Sequence, residues 1–220
     1  MSELNKNPIY CSGCFELGDI CSHHPYRGLT EHTATIMSKS FVNSEGRLIS
    51  RIAHSGAVSL RMTDYSGFTD EGLHMMHFRG ALAFLHDVGY AYPDSGMHSL
   101  DGARWIRSVH PELDYFAPYV AWHSNAKHEY LARGFELGAI AEEFPIPTGA
   151  QEELELALLW VADFTSSPTG DRVTLSERIA NIEQRYDATS PVIEALHHSL
   201  PDLEAAVSLV EETFSIKIAR

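Results

Sequence analysis

A histidine and an aspartate stand side by side at His86-Asp87, at the end of the apolar run ALAFL, and a glycine follows at Gly89. Burying an imidazole and a carboxylate is costly unless each group has a partner. A metal ion is a partner that binds both. The pair therefore predicts a metal site, with Gly89 releasing the helix into a turn in which the two side chains converge.

Further residues of metal-ligating type lie within apolar helical patterns elsewhere in the chain. His54 lies in the middle of one pattern, and His123 ends the segment YFAPYVAWH. Asp163 shares a helix face with Leu159, in a segment without Lys or Arg. A carboxylate on such a face needs a partner, and an ion is the most economical one. His32, in LTEHTATIM, is an alternative to His54 as the first histidine.

The order of these residues resembles the HD superfamily of metal-dependent phosphohydrolases, whose signature is a histidine, a His-Asp pair and a distant aspartate. In this chain the signature reads His54, His86-Asp87 and Asp163. Four segments that span most of residues 48–187 look like the branch with two extra histidines. These segments are LAFLHDVGY, GMHSLDGARWI, VAWHSNAKHEYLARG and WVADFTSSPTGDRVTLSERIANIEQRY.

The resemblance implies one or two divalent transition metals as cofactors. The implied ligands are His54, His86, Asp87, His98, His123 and Asp163. Asp87 would bridge to the second ion, which His98 and His123 would also bind. Imidazole and carboxylate ligands suit Mn, Fe, Co, Ni or Zn and do not select among them. Two positions depart from the family pattern: Tyr90 stands where many members have Lys, and Ser124 where some have a second histidine.

The activity implied by the resemblance is hydrolysis of a small, nucleotide-like phosphomonoester or phosphodiester. A divalent ion lowers the pKa of a bound water toward about 7 and so supplies hydroxide at neutral pH. Asp87 would orient this nucleophile, and Tyr90 would donate a hydrogen bond to the leaving oxygen. Arg104 and Lys127, each shortly after one of the extra histidines, are the candidates for binding the phosphate.

Two other functions fit the same residues. Several helical proteins similar to this chain use a histidine-rich pair of iron ions to activate oxygen and cleave a C–C or C–P bond. In the other alternative the chain is not an enzyme, its metal is absent or structural, and its acidic surface binds a protein. Iron content with oxygen consumption would distinguish the first alternative, and partner binding that survives Asp87→Ala would distinguish the second.

The elements that position these residues are predicted to be helical. Apolar residues recur with the helical period from about Leu29 onward, and alternating patterns typical of strands are nearly absent. Helices are predicted at about 48–62, 73–85, 99–106, 111–122, 151–164, 176–186 and 191–213. The last of them is expected to be interrupted at Pro201. The sequence therefore predicts an all-α, single-domain bundle of the HD-domain type.

Residues 1–26 are predicted to form an irregular arm that precedes a helical domain at 27–220, because prolines and glycines interrupt any helical pattern there. Two of the cysteines in this arm have the spacing of a zinc knuckle, and free thiols are the alternative. The candidate zinc ligands are Cys11, Cys14, Cys21 and either His23 or His24.

The net charge of −14 disfavours the wrapping of long DNA or RNA, although a bound divalent metal would still attract a small anion. The sequence contains no uncharged apolar run long enough for a membrane span and no apolar segment typical of a signal peptide. An odd number of cysteines argues against a disulfide framework. We therefore expect a cytoplasmic protein that acts on a small metabolite, with its oligomeric state left open.

Overall fold

The computed structural model describes residues 28–42, 49–64 and 70–220. Within these ranges every regular element is helical, apart from one isolated antiparallel bridge between Ser166 and Arg172. The prediction of an all-α fold is thus confirmed. The predicted arm at 1–26 lies outside the described residues, and so does its candidate zinc site at Cys11, Cys14, Cys21 and His23 or His24.

Ten α-helices follow one another in the described part of the chain. They are α1 (Leu29–Val42), α2 (Ile49–Thr63), α3 (Asp70–Leu85), α4 (His98–Val109), α5 (Ala117–Trp122), α6 (Lys127–Ala132), α7 (Leu137–Glu143), α8 (Ala150–Phe164), α9 (Leu175–Arg185) and α10 (Pro191–Phe214). Three short 3₁₀ turns cover Val88–Ala91, Pro111–Phe116 and His123–Asn125. Among the described helices, none is both long and apolar enough to cross a bilayer.

Helix α8 lies at the centre of the bundle, where it packs against α2, α3 and α10. Its residues Leu158 and Leu159 are completely buried, as expected for a helix that is apolar on most faces. At its first turn the Glu152 carboxylate accepts the backbone N–H of Gly149 at 3.0 Å, which satisfies a donor that the helix leaves unpaired. Because Asp163 falls near the other end of this central helix, its carboxylate is held inside the bundle.

Helix α10 continues through Pro201, so the predicted interruption there is wrong. A proline inside a helix removes one backbone hydrogen bond and costs about 3 kcal/mol or more in an isolated helix. Here the helix packs against α6 and α8, and it buries Leu196 before the proline and Leu203 after it. Tertiary packing on both sides of Pro201 offsets the local cost and keeps the helix continuous.

Candidate metal centre

The His86-Asp87 pair lies in the turn between α3 and the following 3₁₀ turn, and both side chains are buried. His86 Nδ1 lies 2.6 Å from the backbone carbonyl of Ala83, and because a carbonyl only accepts, this nitrogen is the donor. His86 Nε2 then carries a lone pair, is fully buried and has no hydrogen-bond partner in the part of the chain that the structure describes. It faces Asp87 Oδ2 at 3.5 Å, so an electron-pair donor and a carboxylate oxygen point toward one another.

Gly89 contributes to this turn differently from the sequence expectation. It does not adopt the left-handed backbone conformation typical of a glycine that ends a helix. A Cβ atom built on Gly89 would lie only 1.8 Å from the carbonyl oxygen of His98 and 2.6 Å from the amide nitrogen of Gly102. The missing side chain therefore lets the turn approach the start of α4, and this approach brings His98 beside Asp87.

The first group of potential ligands combines His54, His86 and Asp87, with Asp163 alongside. His54 comes from α2 and is completely buried. Its Nδ1 lies 2.9 Å from the carbonyl oxygen of Ser167, which makes Nδ1 the donor. Its Nε2 faces two carboxylates, Asp163 Oδ1 at 3.1 Å and Asp87 Oδ2 at 3.8 Å.

The second group combines Asp87, His98 and His123. His98 Nε2 lies 3.6 Å and His123 Nε2 lies 3.8 Å from Asp87 Oδ1, and the two Nε2 atoms are 3.0 Å apart. His123 Nδ1 lies 2.5 Å from the carbonyl oxygen of Val120, to which it donates. Asp87 thus turns Oδ2 toward the first group and Oδ1 toward the second, as a carboxylate that bridges two ions would.

The protonation pattern of these histidines fits a metal ion at each group. His54, His86 and His123 each donate Nδ1–H to a backbone carbonyl, which is the usual way in which a protein orients a metal-binding imidazole. The Nε2 lone pairs of His86 and His123 then face oxygens of Asp87, an arrangement that is repulsive unless a cation lies between them, whereas His54 Nε2 forms a hydrogen bond with Asp163 Oδ1. Within each group the potential ligand atoms all lie within 4.8 Å of one another, so each group could hold a metal ion.

The two carboxylates of the centre are held in the ionised form. Burial alone would raise the pKa of Asp87, but the neighbouring His86 imidazole and Arg51 guanidinium hold it well below its usual range. Arg51 Nη1 donates to Asp87 Oδ2 at 2.8 Å. Burial likewise opposes the charge on Asp163, and its hydrogen bond with His54 outweighs that penalty and lowers its pKa. Both side chains are therefore negative and suited to a divalent cation.

The histidines of the two groups differ in basicity. Burial lowers the pKa of His54, but the hydrogen bond and charge of Asp163 outweigh burial and raise it above its usual value. Burial and the neighbouring His123 imidazole lower the pKa of His98 to about 3. Burial also lowers the pKa of His123. At neutral pH the second group therefore offers two uncharged imidazoles, whereas His54 in the first group attracts a proton.

Ser124, a departure from the family pattern, contacts the centre directly. Its Oγ donates a short hydrogen bond to Asp163 Oδ2, from a backbone in the left-handed region (φ 52°). Arg178 Nη2 lies 3.6 Å from the other oxygen, Asp163 Oδ1. The two side chains together fix the orientation of the carboxylate. Neither residue was assigned a role from the sequence.

A cavity of about 290 Å³ opens beside the centre, with Asp87, His98 and Asp163 in its wall. Tyr90 also lines it, stacked on the His98 ring at 4.1 Å between centroids. The Arg51 guanidinium lies 4.0 Å above the Tyr90 ring. Burial raises the pKa of Tyr90, so its hydroxyl keeps the proton and is able to donate it in a hydrogen bond.

Four arginines and an apolar surface complete the cavity wall. The arginines are Arg51, Arg133, Arg178 and Arg185. The apolar side chains include Phe164, Ile182, Val192 and Leu196. The cavity therefore combines metal-ligating groups, cationic groups and an apolar surface in a protein whose net charge is strongly negative.

No family model, curated protein or solved structure matches the chain. The relation to the HD superfamily therefore stays a resemblance that rests on the four segments and the order of the ligands. What the centre does has to be argued from its own geometry.

The structure does not bring Arg104 or Lys127 to the cavity. Arg104 forms a bidentate pair with Glu143, at 2.9 and 2.6 Å, and Lys127 Nζ lies 2.8 Å from Asp202. Six positions along α4 rotate a side chain by about 240° relative to His98, which turns Arg104 away from the centre. The prediction that Arg104 binds the phosphate rested on its closeness in sequence to His98, and it did not take this rotation along the helix into account.

His32, the alternative first histidine, belongs to a different group. It lies with His110 and Glu112, and one ligand atom from each lies within 4.8 Å of the others. His110 Nδ1 and Glu112 Oε1 are 3.0 Å apart, and Glu112 is exposed. The histidine that faces Asp163 is His54, so the structure brings together all six ligands that the resemblance implies.

Proposed function

We propose that the chain is a metal-dependent phosphohydrolase that acts on a small phosphomonoester or phosphodiester of nucleotide-like size. The observation that carries this proposal is the placement of Asp87, with one carboxylate oxygen toward each of two histidine groups. Two adjacent cations suit in-line displacement at phosphorus, because they stabilise both the attacking and the leaving oxygen.

The side chains around the centre have roles that follow from their charge and position. Divalent ions held by the two groups of ligands would supply hydroxide at neutral pH and would shield the phosphoryl oxygens. Asp87 is ionised and accepts a hydrogen bond from the attacking water, which orients that water. Arg51, which contacts Asp87, flanks the phosphoryl group and neutralises its charge. Tyr90 keeps its proton and donates a hydrogen bond to the leaving oxygen.

The cavity supports a small substrate rather than a polymer. Its volume of about 290 Å³ lies at the small end of the usual range for pockets that bind small molecules. Its arginines attract an anion, whereas the net charge of −14 over the whole chain repels a long phosphate backbone. Phe164 and Leu196 offer an apolar surface to the organic part of the ester.

A di-iron oxygenase that cleaves a C–C or C–P bond is the second candidate, and one observation favours it. Asp87, His98 and His123 are two histidines and one carboxylate, which is the ligand set that non-haem iron oxygenases use while leaving positions open on the metal. Ser124 stands where a further histidine would add a ligand, and its hydroxyl is already committed to Asp163.

The test is to purify the protein without oxygen, load it with Mn or with Fe, count the ions per chain and assay it. We expect two ions and hydrolysis of nitrophenyl phosphate, bis-nitrophenyl phosphate or nucleoside monophosphates, with Asp87→Asn losing about a thousandfold or more in rate. Arg172→Gln, which changes an exposed arginine outside the cavity, is the control. Full iron loading with oxygen consumption and no phosphoester turnover would favour the oxygenase.

A third outcome is a protein that binds no metal. Such a result, together with a protein partner whose binding is unchanged by Asp87→Ala, would replace the enzymatic proposal with a binding module. The two histidine groups would then serve as a buried polar network in the core.

A further inference from the structure

Arg178 is a buried cation without a full set of partners. Its exposure is 8%, and within residues 28–42, 49–64 and 70–220 its Nε and Nη1 atoms have no hydrogen-bond partner. Its Nη2 lies 3.6 Å from Asp163 Oδ1, which is longer than a hydrogen bond, and that oxygen also faces His54. Burying a guanidinium is costly unless an anion and good hydrogen bonds compensate it. The position of Arg178 in the cavity wall indicates that the compensating anion comes from a ligand.

Arg185 is a second cation on the same helix face, and it is exposed. Seven positions correspond to almost two complete turns of α9, so Arg185 points in nearly the same direction as Arg178. Both line the cavity, and Ile182 lies between them in its wall. Burial and the charge of Arg178 lower the pKa of Arg185, so the two cations repel one another. Arg185 Nε donates to the backbone carbonyl of Asn181, at 3.3 Å, and its guanidinium carbon lies 5.6 Å from the centroid of the Tyr186 ring.

The carboxylates that line the cavity are already engaged. Glu129 pairs with Arg133 through an oxygen 2.6 Å from the guanidinium, and Asp87 pairs with Arg51. Asp101 accepts two backbone N–H groups of the preceding loop, at 2.8 and 3.0 Å. Asp163 belongs to the metal centre. In the described part of the chain, no further carboxylate lines the cavity to neutralise the two cations on α9.

We propose that Arg178 and Arg185 form an anion subsite beside the metal centre, and that the ligand of the cavity carries two anionic groups. One group, a phosphoryl group, binds at the metals, and the second, a phosphate or carboxylate, binds between the two arginines. The part that joins them lies against Ile182 and Leu196. This inference rests on the proposed function, because it takes the metal groups as the place of the first anion.

The experiment compares two probes on the Mn-loaded full chain by isothermal titration calorimetry. Phosphonobutanoate carries a phosphonate at one end and a carboxylate at the other, and butylphosphonate lacks the carboxylate. Charge-assisted hydrogen bonds to a guanidinium predict that the first probe binds about tenfold or more tightly than the second. The preference falls to about twofold or less in Arg178→Gln and in Arg185→Gln. Arg172→Gln, which removes an exposed charge outside the cavity, should keep the full preference for phosphonobutanoate.

The variants separate a lost subsite from a lost fold. Arg178 is buried, so its variant requires a thermal melt as well, whereas Arg185 is exposed and its removal leaves the core intact. Equal affinity of the wild-type protein for the two probes would overturn the proposal, and so would a preference that survives Arg185→Gln.

Failure of this inference is distinguishable from failure of the proposed function. Hydrolysis of simple phosphomonoesters with no preference for the second anion would reject the subsite and retain the enzyme. A preference for phosphonobutanoate that depends on Arg178 and Arg185, in a protein that hydrolyses no phosphoester, would retain the subsite and reject the enzyme.

Discussion

The Nε2 atoms of His98 and His123 face one another at 3.0 Å, and each lies within 4 Å of Asp87 Oδ1. His123 donates through Nδ1 to a carbonyl, so its Nε2 carries a lone pair toward His98. Two buried imidazoles brought together in this way favour a shared cation. The pair belongs to the second group of ligands, and the first group contains neither residue.

His98→Ala therefore removes a ligand of one ion and leaves the other group intact. We expect the metal content to fall from about two ions to about one per chain, because a divalent ion needs its full ligand set to compete with solvent. Elemental analysis after dialysis measures this. His197→Ala, which changes an exposed histidine paired with Glu183, should keep both ions. Loss of both ions in His98→Ala would show that the groups do not act separately.

The pH dependence of metal binding should differ between the two groups. A proton on His54 Nε2 competes with a metal ion, and its raised pKa means that this competition begins at a higher pH than for an ordinary histidine. His98, with a pKa of about 3, and His123, with a lowered pKa, stay unprotonated over the same range. As the pH falls from about 8 to about 5, the first group should release its ion before the second.

Two single-site variants make the order in which the two groups release their ions measurable. His98→Ala retains the first group and His54→Ala retains the second, so the metal content of each against pH reports one group. The order of release is the readout. Earlier release from the chain that lacks His54 would contradict the assignment of the proton to His54.

The sequence was sufficient to predict the fold class and to select the ligands that the structure brings together. Helical periodicity is a local signal, and a histidine or aspartate inside an apolar pattern needs a partner wherever the chain folds. His54 and Asp163 are far apart in the chain, yet the helical period and the need for a partner are visible in the segment around each residue. The physical requirement for a partner, together with the order of the residues, is what made them predictable.

The wall of the cavity was not predictable in the same way. Arg178 and Arg185 come from a helix to which no role was assigned, and they reach the centre only because α9 packs against α8 and α10. The spacing of the two arginines on one face with Ile182 was the available signal. Pro201 shows the same limit, since a local rule predicted an interruption that tertiary packing overrides.

Gly89→Ala should destabilise the protein and weaken the second group of ligands. The added Cβ would lie 1.8 Å from the carbonyl oxygen of His98, and a backbone atom cannot move aside as a flexible side chain can. We expect a loss of about 3 kcal/mol or more in the free energy of unfolding, measured by urea denaturation. Metal content should also fall, because His98 is displaced.

Gly56→Ala is the matched control within α2. A Cβ at Gly56 meets no atom within 4 Å, so alanine should stabilise the helix by about 1 kcal/mol. If Gly89→Ala and Gly56→Ala changed the free energy of unfolding equally, the close approach of Gly89 to α4 would not be what makes a side chain at position 89 destabilising.

The buried pair of Arg79 and Glu155 should contribute more to stability than the exposed pair of Arg104 and Glu143. Both pairs are bidentate, with both Arg79–Glu155 contacts at 2.7 Å. The side chains of the first pair are 4% and 2% exposed, and those of the second are 44% and 32% exposed. Glu155→Ala removes the carboxylate that forms two hydrogen bonds with the buried Arg79 guanidinium and should cost about 3–5 kcal/mol. Glu143→Ala should cost about 1 kcal/mol or less.

Urea denaturation of the two single variants gives this comparison directly, and a double variant tests its cause. Arg79→Met with Glu155→Leu removes both charges and fills the space with apolar atoms, so it should recover most of the stability that Glu155→Ala loses. Metal content should stay at the wild-type value in all three variants, because neither pair contributes a ligand. If the double variant were as unstable as Glu155→Ala, the loss would come from packing around α3 and α8 rather than from the lost carboxylate of the pair.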